Sequence, residues 1–293
     1  MTKSFSYEGA FARNVGWVTD GEQAALRGKR IAIAGMGGVG GEHLLTLTRL
    51  GIGHFRIADF DRFDIANLNR QAGASTATLG QLKSEVLAGM ARAINPELEL
   101  DEWRVPVDAG NVEQFLAGVD VYVDGLEFFA FDARAAVFAA CRRLGIPAVT
   151  AAPLGMGAAL LNFMPDGMSF EDYFGWGTLP DDDRAVRFMV GLAPRLLQDY
   201  IVDVSRVDLA ARRGPSTVMA CKLCAGVAAT EVLKILLRRG EVRAAPHGLQ
   251  FDAYRNRTVR TWRPWGHRNP LNRLMIAIAH RRLAAMKKKA SAE

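Results

Sequence analysis

A run of glycines, Gly35-Met36-Gly37-Gly38-Val39-Gly40, is followed 19 residues later by Asp59, then by Asp61, Asn67, Arg70, Gln71 and Lys83. Glycines at a strand-to-helix turn let backbone N–H groups approach an anion with no Cβ in the way, and the helix that starts there adds about half a positive charge. A carboxylate at the end of the next strand can accept hydrogen bonds from ribose hydroxyls, which makes Asp59 the ribose candidate. Loop and acid together predict a dinucleotide or mononucleotide site. A turn that merely packs a helix on a sheet would explain the glycines but not the placed acid.

The cations separate two chemistries. Arg70 can grip phosphate oxygens in bidentate fashion, Lys83 can act as a point charge, and Asn67 and Gln71 can orient the same group by neutral hydrogen bonds. An NAD enzyme needs no such set, because its cofactor is not cleaved at the phosphates. A carboxylate attacking the α-phosphorus of ATP needs donors and metal in place to neutralise the developing charge. Arg70 and Lys83 are therefore the catalytic candidates, and Gly35, Gly37, Gly38, Gly40, Asp59, Asp61, Asn67 and Gln71 the nucleotide-binding ones. The rival reading is an NAD(P)-binding oxidoreductase. It lacks a proton donor, since the histidines at 43, 54, 247, 267 and 280 read as surface or capping residues. A third reading is a catalytically weakened nucleotide-binding partner protein.

The elements that must hold these residues alternate. Strands are predicted at 31–35, 55–59, 98–105, 119–124 and 148–151, with helices at 43–50 and 132–144 and one opened by Thr78, whose Thr-Leu-Gly-Gln has the form of a capping box. That helix is expected to turn Val86, Leu87, Met90 and Ile94 inward. The pattern predicts an α/β fold: a Rossmann-like, doubly wound, mostly parallel sheet with antiparallel C-terminal strands at 249–253 and 258–263. Residues 1–28 form a lead-in, 29–253 the nucleotide domain with an acceptor-facing insertion at 153–215, and 254–293 a basic tail. Within the insertion a strand fits 158–164 and one or two helices fit 181–205, while Phe170, Tyr173, Phe174 and Trp176 either line an acceptor groove or close the sheet edge. A long helix at 219–239 carries Cys221 and Cys224 on its apolar face.

Composition bounds the classes. The 293 residues, 49% apolar, are ample for a buried core, and no stretch of about 18 uncharged apolar residues or signal-peptide segment occurs, so a cytoplasmic protein without a membrane span is expected. Three cysteines are too few for a disulfide framework. The net charge of +6 hides an asymmetry: residues 254–293 hold 11 Lys or Arg against the single acid Glu293. Attraction to a polyanion such as tRNA, or to an acidic protein, would belong to that tail.

With these motifs in order, the chain resembles the ThiF- and MoeB-like adenylyltransferases, the prokaryotic relatives of ubiquitin-activating enzymes. The GxGGVG loop, the DFD at 59–61, the NLNRQ at 67–71, the TLGQLK at 78–83 and the INP at 94–96 follow family order and spacing. The resemblance implies ATP and Mg²⁺ binding, an acyl-adenylate formed with release of pyrophosphate, and a homodimer. The activated carboxylate would be a protein carboxy-terminus, including that of a small ubiquitin-like protein, or a small-molecule or nucleoside carboxylate. By matching position, Gly38 lies against the phosphates, Asp59 holds the ribose, and Asn67, Arg70 and Lys83 contact the phosphates. Arg13, in Phe-Ala-Arg-Asn14, matches an arginine finger that reaches the partner subunit's ATP, although the family usually has glutamine where Asn14 stands.

The chain also departs from the family. The pattern D-x-x-D-N, whose second aspartate takes Mg²⁺, reads Asp124-Gly-Leu-Glu127-Phe128 here, so Glu127 is the expected ligand and Asp124 the fallback. Many relatives bind zinc through two CxxC pairs. Here only Cys221-Lys-Leu-Cys224 exists, and no zinc is predicted. Some relatives pass the acyl group to a cysteine. Cys141 is expected in the core, and Cys221 or Cys224 would serve only if their helix end were exposed.

Overall fold

The computed structural model describes residues 4–207 and 214–290, with side chains described as far as Arg281. Helices α1 (Tyr7–Phe11) and α2 (Asp20–Arg27) lead into β1 (Arg30–Ala34), α3 (Gly40–Leu50), β2 (His54–Ala58), α4 (Lys83–Ile94), β3 (Glu99–Trp103), α5 (Val112–Leu116), β4 (Val121–Asp124) and α6 (Phe131–Leu144). Then follow β5 (Ala148–Leu154), β6 (Gly157–Phe163), α7 (Phe170–Phe174), α8 (Asp181–Leu192), α9 (Val218–Leu237), β7 (His247–Asp252), β8 (Arg257–Trp262) and α10 (Pro270–Ala290).

The strands form one eight-stranded sheet in the order β3-β2-β1-β4-β5-β6-β7-β8. The first five in that order pair in parallel, and β5-β6-β7-β8 pair antiparallel, as the sequence pattern predicts. Helices cover both faces, so strand residues alternate between two cores rather than between core and water. Ile31, Ile33, Val121 and Val123 pack with Leu44, Leu87, Cys224 and Val232 on the side of α3, α4 and α9. Ala32, Ala34 and Tyr122 face Phe138, Phe170, Trp176 and Phe188 on the side of α6, α7 and α8.

Two expectations about the elements are corrected. Thr78 does not cap a helix: its hydroxyl accepts from Ser75 N (2.9 Å) and donates to Gly73 O (2.6 Å), closing a turn, and α4 begins five residues later. The buried stripe of α4 runs through Lys83, Ser84, Leu87, Ala88 and Ala91, while Met90 is exposed. Two alanines let this helix sit close, a signal that periodicity weighted toward large side chains passes over.

The aromatics of the insertion close the sheet. Phe170, Tyr173, Phe174 and Trp176 are at most 5% exposed and stack with Phe163 and Phe188, so they line no open groove. A boundary at 253–254 would fall inside the β7–β8 hairpin. Beyond it the buried Arg263 Nε donates to Asn272 Oδ1 (3.1 Å), tying the start of α10 to the sheet, and α10 packs on α8. No helix among the described residues is long and apolar enough to cross a membrane.

Candidate active site

Strand β1 lies between β2 and β4, so the chain reverses its direction of winding there, and the crevice beyond the carboxyl ends of β1 and β4 is where such sheets bind ligands. The turns after those two strands meet backbone to backbone. A Cβ on Gly35, which holds φ +86°, would lie 2.3 Å from Gly125 O. Only glycine fits that left-handed, crowded position. The chain then enters α3 at Gly40, leaving the first N–H groups of the helix directed at the crevice.

The acid after β2 closes on this turn. Asp59 Oδ2 accepts from Met36 N at 2.6 Å, and its Oδ1 accepts from Asp61 N at 2.8 Å. Burial raises the Asp59 pKa, while those two N–H groups and the nearby Lys83 pull it down. Each oxygen keeps lone-pair capacity for a hydroxyl. Asp61 in turn accepts from Lys83 Nζ at 3.1 Å. Lys83 is buried at the first residue of α4, the end where the helix dipole repels a cation, so Asp61 and any bound anion must offset that placement.

The two residues before Ala72 complete the seat. Arg70 Nη1 is fixed by Ala66 O (3.0 Å) and Asn69 Oδ1 (2.8 Å), and its Nε and Cδ lie 3.8 and 3.9 Å from the place a Cβ on Gly38 would occupy. Gln71 Nε2 stands 3.9 Å from the equivalent point on Gly37, and its buried Oε1 has no hydrogen-bond partner. That amide, turned over or not, keeps unused hydrogen-bonding capacity beside the turn. Asn67 uses its Oδ1 to accept from Asp64 N at 3.0 Å, leaving its NH₂ for other partners. Asp59, Asp61, Arg70, Gln71 and Lys83 are thus gathered at the glycine turn, from two stretches joined by the excursion between β2 and α4.

Other candidates are placed elsewhere. Arg13 is exposed on a short 3₁₀ turn (Ala12–Asn14), and Asn14 Nδ2 donates to Leu50 O (3.2 Å), at the far end of α3 from the glycine turn. That helix has 11 residues and is about 16 Å long, which separates Arg13 from its own chain's crevice. Asp124 does not offer itself to a metal. Its Oδ2 accepts from Arg134 Nε (2.9 Å) and Thr150 Oγ1 (2.9 Å), its Oδ1 from Leu126 N (3.2 Å), and it is buried. Glu127 is exposed. Among the described residues no three His, Cys, Asp or Glu side chains are grouped to hold a metal ion.

Arg134 is the residue the sequence reading missed. Besides Asp124 it donates to Leu126 O (2.7 Å), Glu127 O (2.9 Å) and Phe128 O (3.1 Å), so it shapes the loop that carries Glu127. Its signal was an arginine in the first turn of a helix, an unfavourable end for a cation unless a carboxylate waits for it. The three cysteines are all buried, and burial raises each thiol pKa. Cys221 and Cys224 belong to the core under α3 and α9, and Cys221 Sγ lies 3.1 Å from where a Gly38 Cβ would be.

His43, expected at the surface, is instead fully buried in α3 with neither ring nitrogen partnered. Burial lowers its pKa from 6.5 to about 4, with Asp124 opposing. The folded state therefore takes up the proton later than the unfolded chain does. His43 costs no stability above pH 6.5 and progressively more as pH falls toward 4, on the order of 3 kcal/mol in all. The loss of unfolding free energy between pH 7 and 4 should shrink by about that amount in His43→Phe, measured by denaturant titration. An unchanged pH profile would rule His43 out as its source.

The sheet order, the glycine turn before α3 and the acid after β2 define a Rossmann-type nucleotide-binding protein. Residues 11–274 match the ThiF family, and the chain belongs to that family. It is 31% identical over 163 residues to the SAMP-activating enzyme E1 of Haloferax volcanii, covering 54% of this chain and 60% of that one. It is 30% identical over 146 residues to the sulfur carrier protein ThiS adenylyltransferase of Escherichia coli, covering 50% and 57%. The matched region thus spans a little over half the length of these relatives. Among solved structures, E. coli tRNA N6-threonylcarbamoyladenosine dehydratase superposes with a TM-score of 0.60 at 23% identity, over 81% of this chain and 98% of that one, a likeness of fold.

Proposed function

We propose that this chain binds ATP at the glycine turn and adenylates a carboxylate. A carboxylate oxygen attacks the α-phosphorus, the bond from that phosphorus to the bridging oxygen of the leaving pyrophosphate breaks, and acyl-adenylate and pyrophosphate result. The observation that carries this reading is the approach of Arg70 and Gln71 to the turn at Gly38 and Gly37, with the Lys83–Asp61 pair joined to that turn through Asp59. Asp59 accepts from the ribose hydroxyls, backbone N–H groups of the turn cradle phosphate oxygens, and the guanidinium and ammonium offset the charge that grows on the leaving group. A cofactor read only for hydride transfer would leave those cations without work.

The site suits a magnesium ion that arrives on the triphosphate and takes few protein ligands, the usual habit of that ion. Glu127 would supply its carboxylate, and the ion when bound supplies further neutralisation of phosphate charge. Arg13, stranded from its own crevice, would serve the site of a second copy in a homodimer. Residues 1–28 then act as a lead-in for the partner, 29–253 hold the nucleotide, 153–215 face the acceptor, and the basic C-terminal segment after residue 253 supplies the surface for any polyanion.

The acceptor we favour is a protein carboxy-terminus, in keeping with the names of the Haloferax and ThiS-directed relatives. A carboxylate on a tRNA nucleoside comes second, in keeping with the tRNA-directed structural neighbour and the charge of the C-terminal segment. Calorimetric titration should give ATP binding and none with NAD, and addition of ATP, Mg²⁺ and a carrier protein ending in a free carboxy-terminus should release pyrophosphate and leave AMP joined to that carboxy-terminus. NAD binding in place of ATP would overturn the reading, and tight ATP binding with no turnover on either acceptor class would reduce the chain to a nucleotide-binding partner protein.

A further inference from the structure

A second cavity, of about 470 Å³, lies on the opposite face of the sheet from α3 and α9, where α10 and the turn before it pack on α8. Five basic side chains line it: Arg187 from α8, His267 and Arg268 from the 3₁₀ turn Gly266–Arg268, and Arg273 and His280 from α10. Ile276 and Ala277 add an apolar strip. None of these residues belongs to the nucleotide seat.

Two members of the cluster are held in place by backbone carbonyls. Arg187 Nη1 donates to Gly175 O at 2.6 Å, which leaves its other N–H groups free to turn toward the cavity. His267 Nδ1 lies 2.9 Å from Asp172 O, a carbonyl that can only accept, so that nitrogen carries a hydrogen and Nε2 is left for a ligand. The His267 ring rests on Gly175, where φ is +65° and a Cβ would come within 2.4 Å of the ring. Its seat therefore depends on a glycine.

Two acids seen near the cluster among the described residues are already engaged. Asp183 stands 3.5 Å from His280, and Asp172, the carboxylate near Arg268, is already bound by Ser169. Neither Arg268 nor Arg273 makes a salt bridge or a side-chain hydrogen bond among the described residues. Three guanidinium groups sharing one concave space repel each other unless an anion joins them, and their forked donors match the oxygens of a phosphate. A volume of this size is that of a small-molecule pocket, too large for a bare ion alone and with an apolar wall for the rest of the molecule.

We propose that this cavity is a second anion site, which takes the phosphate of a small phosphorylated molecule no larger than a nucleotide. It does not rest on the adenylation reading. Inorganic pyrophosphate is the probe, titrated by calorimetry into the full chain carrying Arg70→Ala, which weakens the seat at the glycine turn. One site should remain, and adding Arg268→Gln and Arg273→Gln should weaken it at least tenfold. Both arginines are exposed, so circular dichroism should report an unchanged fold. Absence of pyrophosphate binding to the Arg70→Ala chain, or binding indifferent to the two glutamines, would overturn the proposal. So would a short single-stranded RNA that binds through Arg268 and Arg273 while pyrophosphate does not, since the cluster would then be part of a nucleic-acid surface.

Discussion

Replacing Arg70 by alanine should lower the rate of ATP-dependent carboxylate activation by about 10²–10³-fold, the usual cost of removing one pre-placed donor from a developing charge. The side chain is already positioned: Ala66 O and Asn69 Oδ1 hold one nitrogen, and the rest of the guanidinium end lies over Gly38. Because no rearrangement is needed to bring it there, its loss should lower kcat and also weaken the hold on the phosphates. Lys83→Ala should do similar damage with a different accompaniment. It removes the partner of Asp61, so a bare carboxylate then stands beside the phosphates and ATP affinity falls as well. ATP-pyrophosphate exchange gives the rate, and calorimetry gives the affinity. Wild-type exchange in both variants would refute the assignment.

The second large effect concerns stability. Arg134→Leu should destabilise the fold by about 3–5 kcal/mol, because it strips one partner from an ion pair buried on both sides. Asp124 would keep Thr150 and Leu126 N but lose its countercharge, and three carbonyls of the following loop would lose their donors. The contact of the guanidinium with the Phe188 ring, 4.7 Å from its centroid, would go too, freeing the loop from α8. The double variant Arg134→Leu/Asp124→Asn should recover part of the loss, since it leaves no lone charge inside. Urea unfolding measures both. A single variant within about 1 kcal/mol of wild type would mean the pair is no strut.

The parallel half of the sheet was legible because its signals are local. Apolar runs end in glycines, and the acid at the end of β2 sits at the spacing a ribose requires. Arg70 and Gln71 were legible as site candidates, since polar residues of those types in one short segment have few structural reasons to cluster. Where they would sit was not legible, because the excursion between β2 and α4 has no periodic pattern. Its turns are set by Thr78 bonding back to Gly73 and by backbone pairing, such as Lys83 N to Asp61 O at 2.9 Å. His43 misled for another reason. A polar ring on a helix reads as a surface group, and only the arrival of α9 and the sheet on either side of α3 encloses it. The aromatics of residues 170–176 were equally ambiguous. Whether a ring lines a groove or fills a core depends on α8, which comes later in the chain.

Cys221 carries a consequence of its own. Its sulfur packs against the glycine turn, so close that a single methyl group on Gly38 would come within 3.1 Å of it. The turn proposed to seat the phosphates is thereby backed by a side chain about 180 positions further along the chain. A side chain longer than cysteine at position 221 would press on that turn, so size alone restricts what the position accepts.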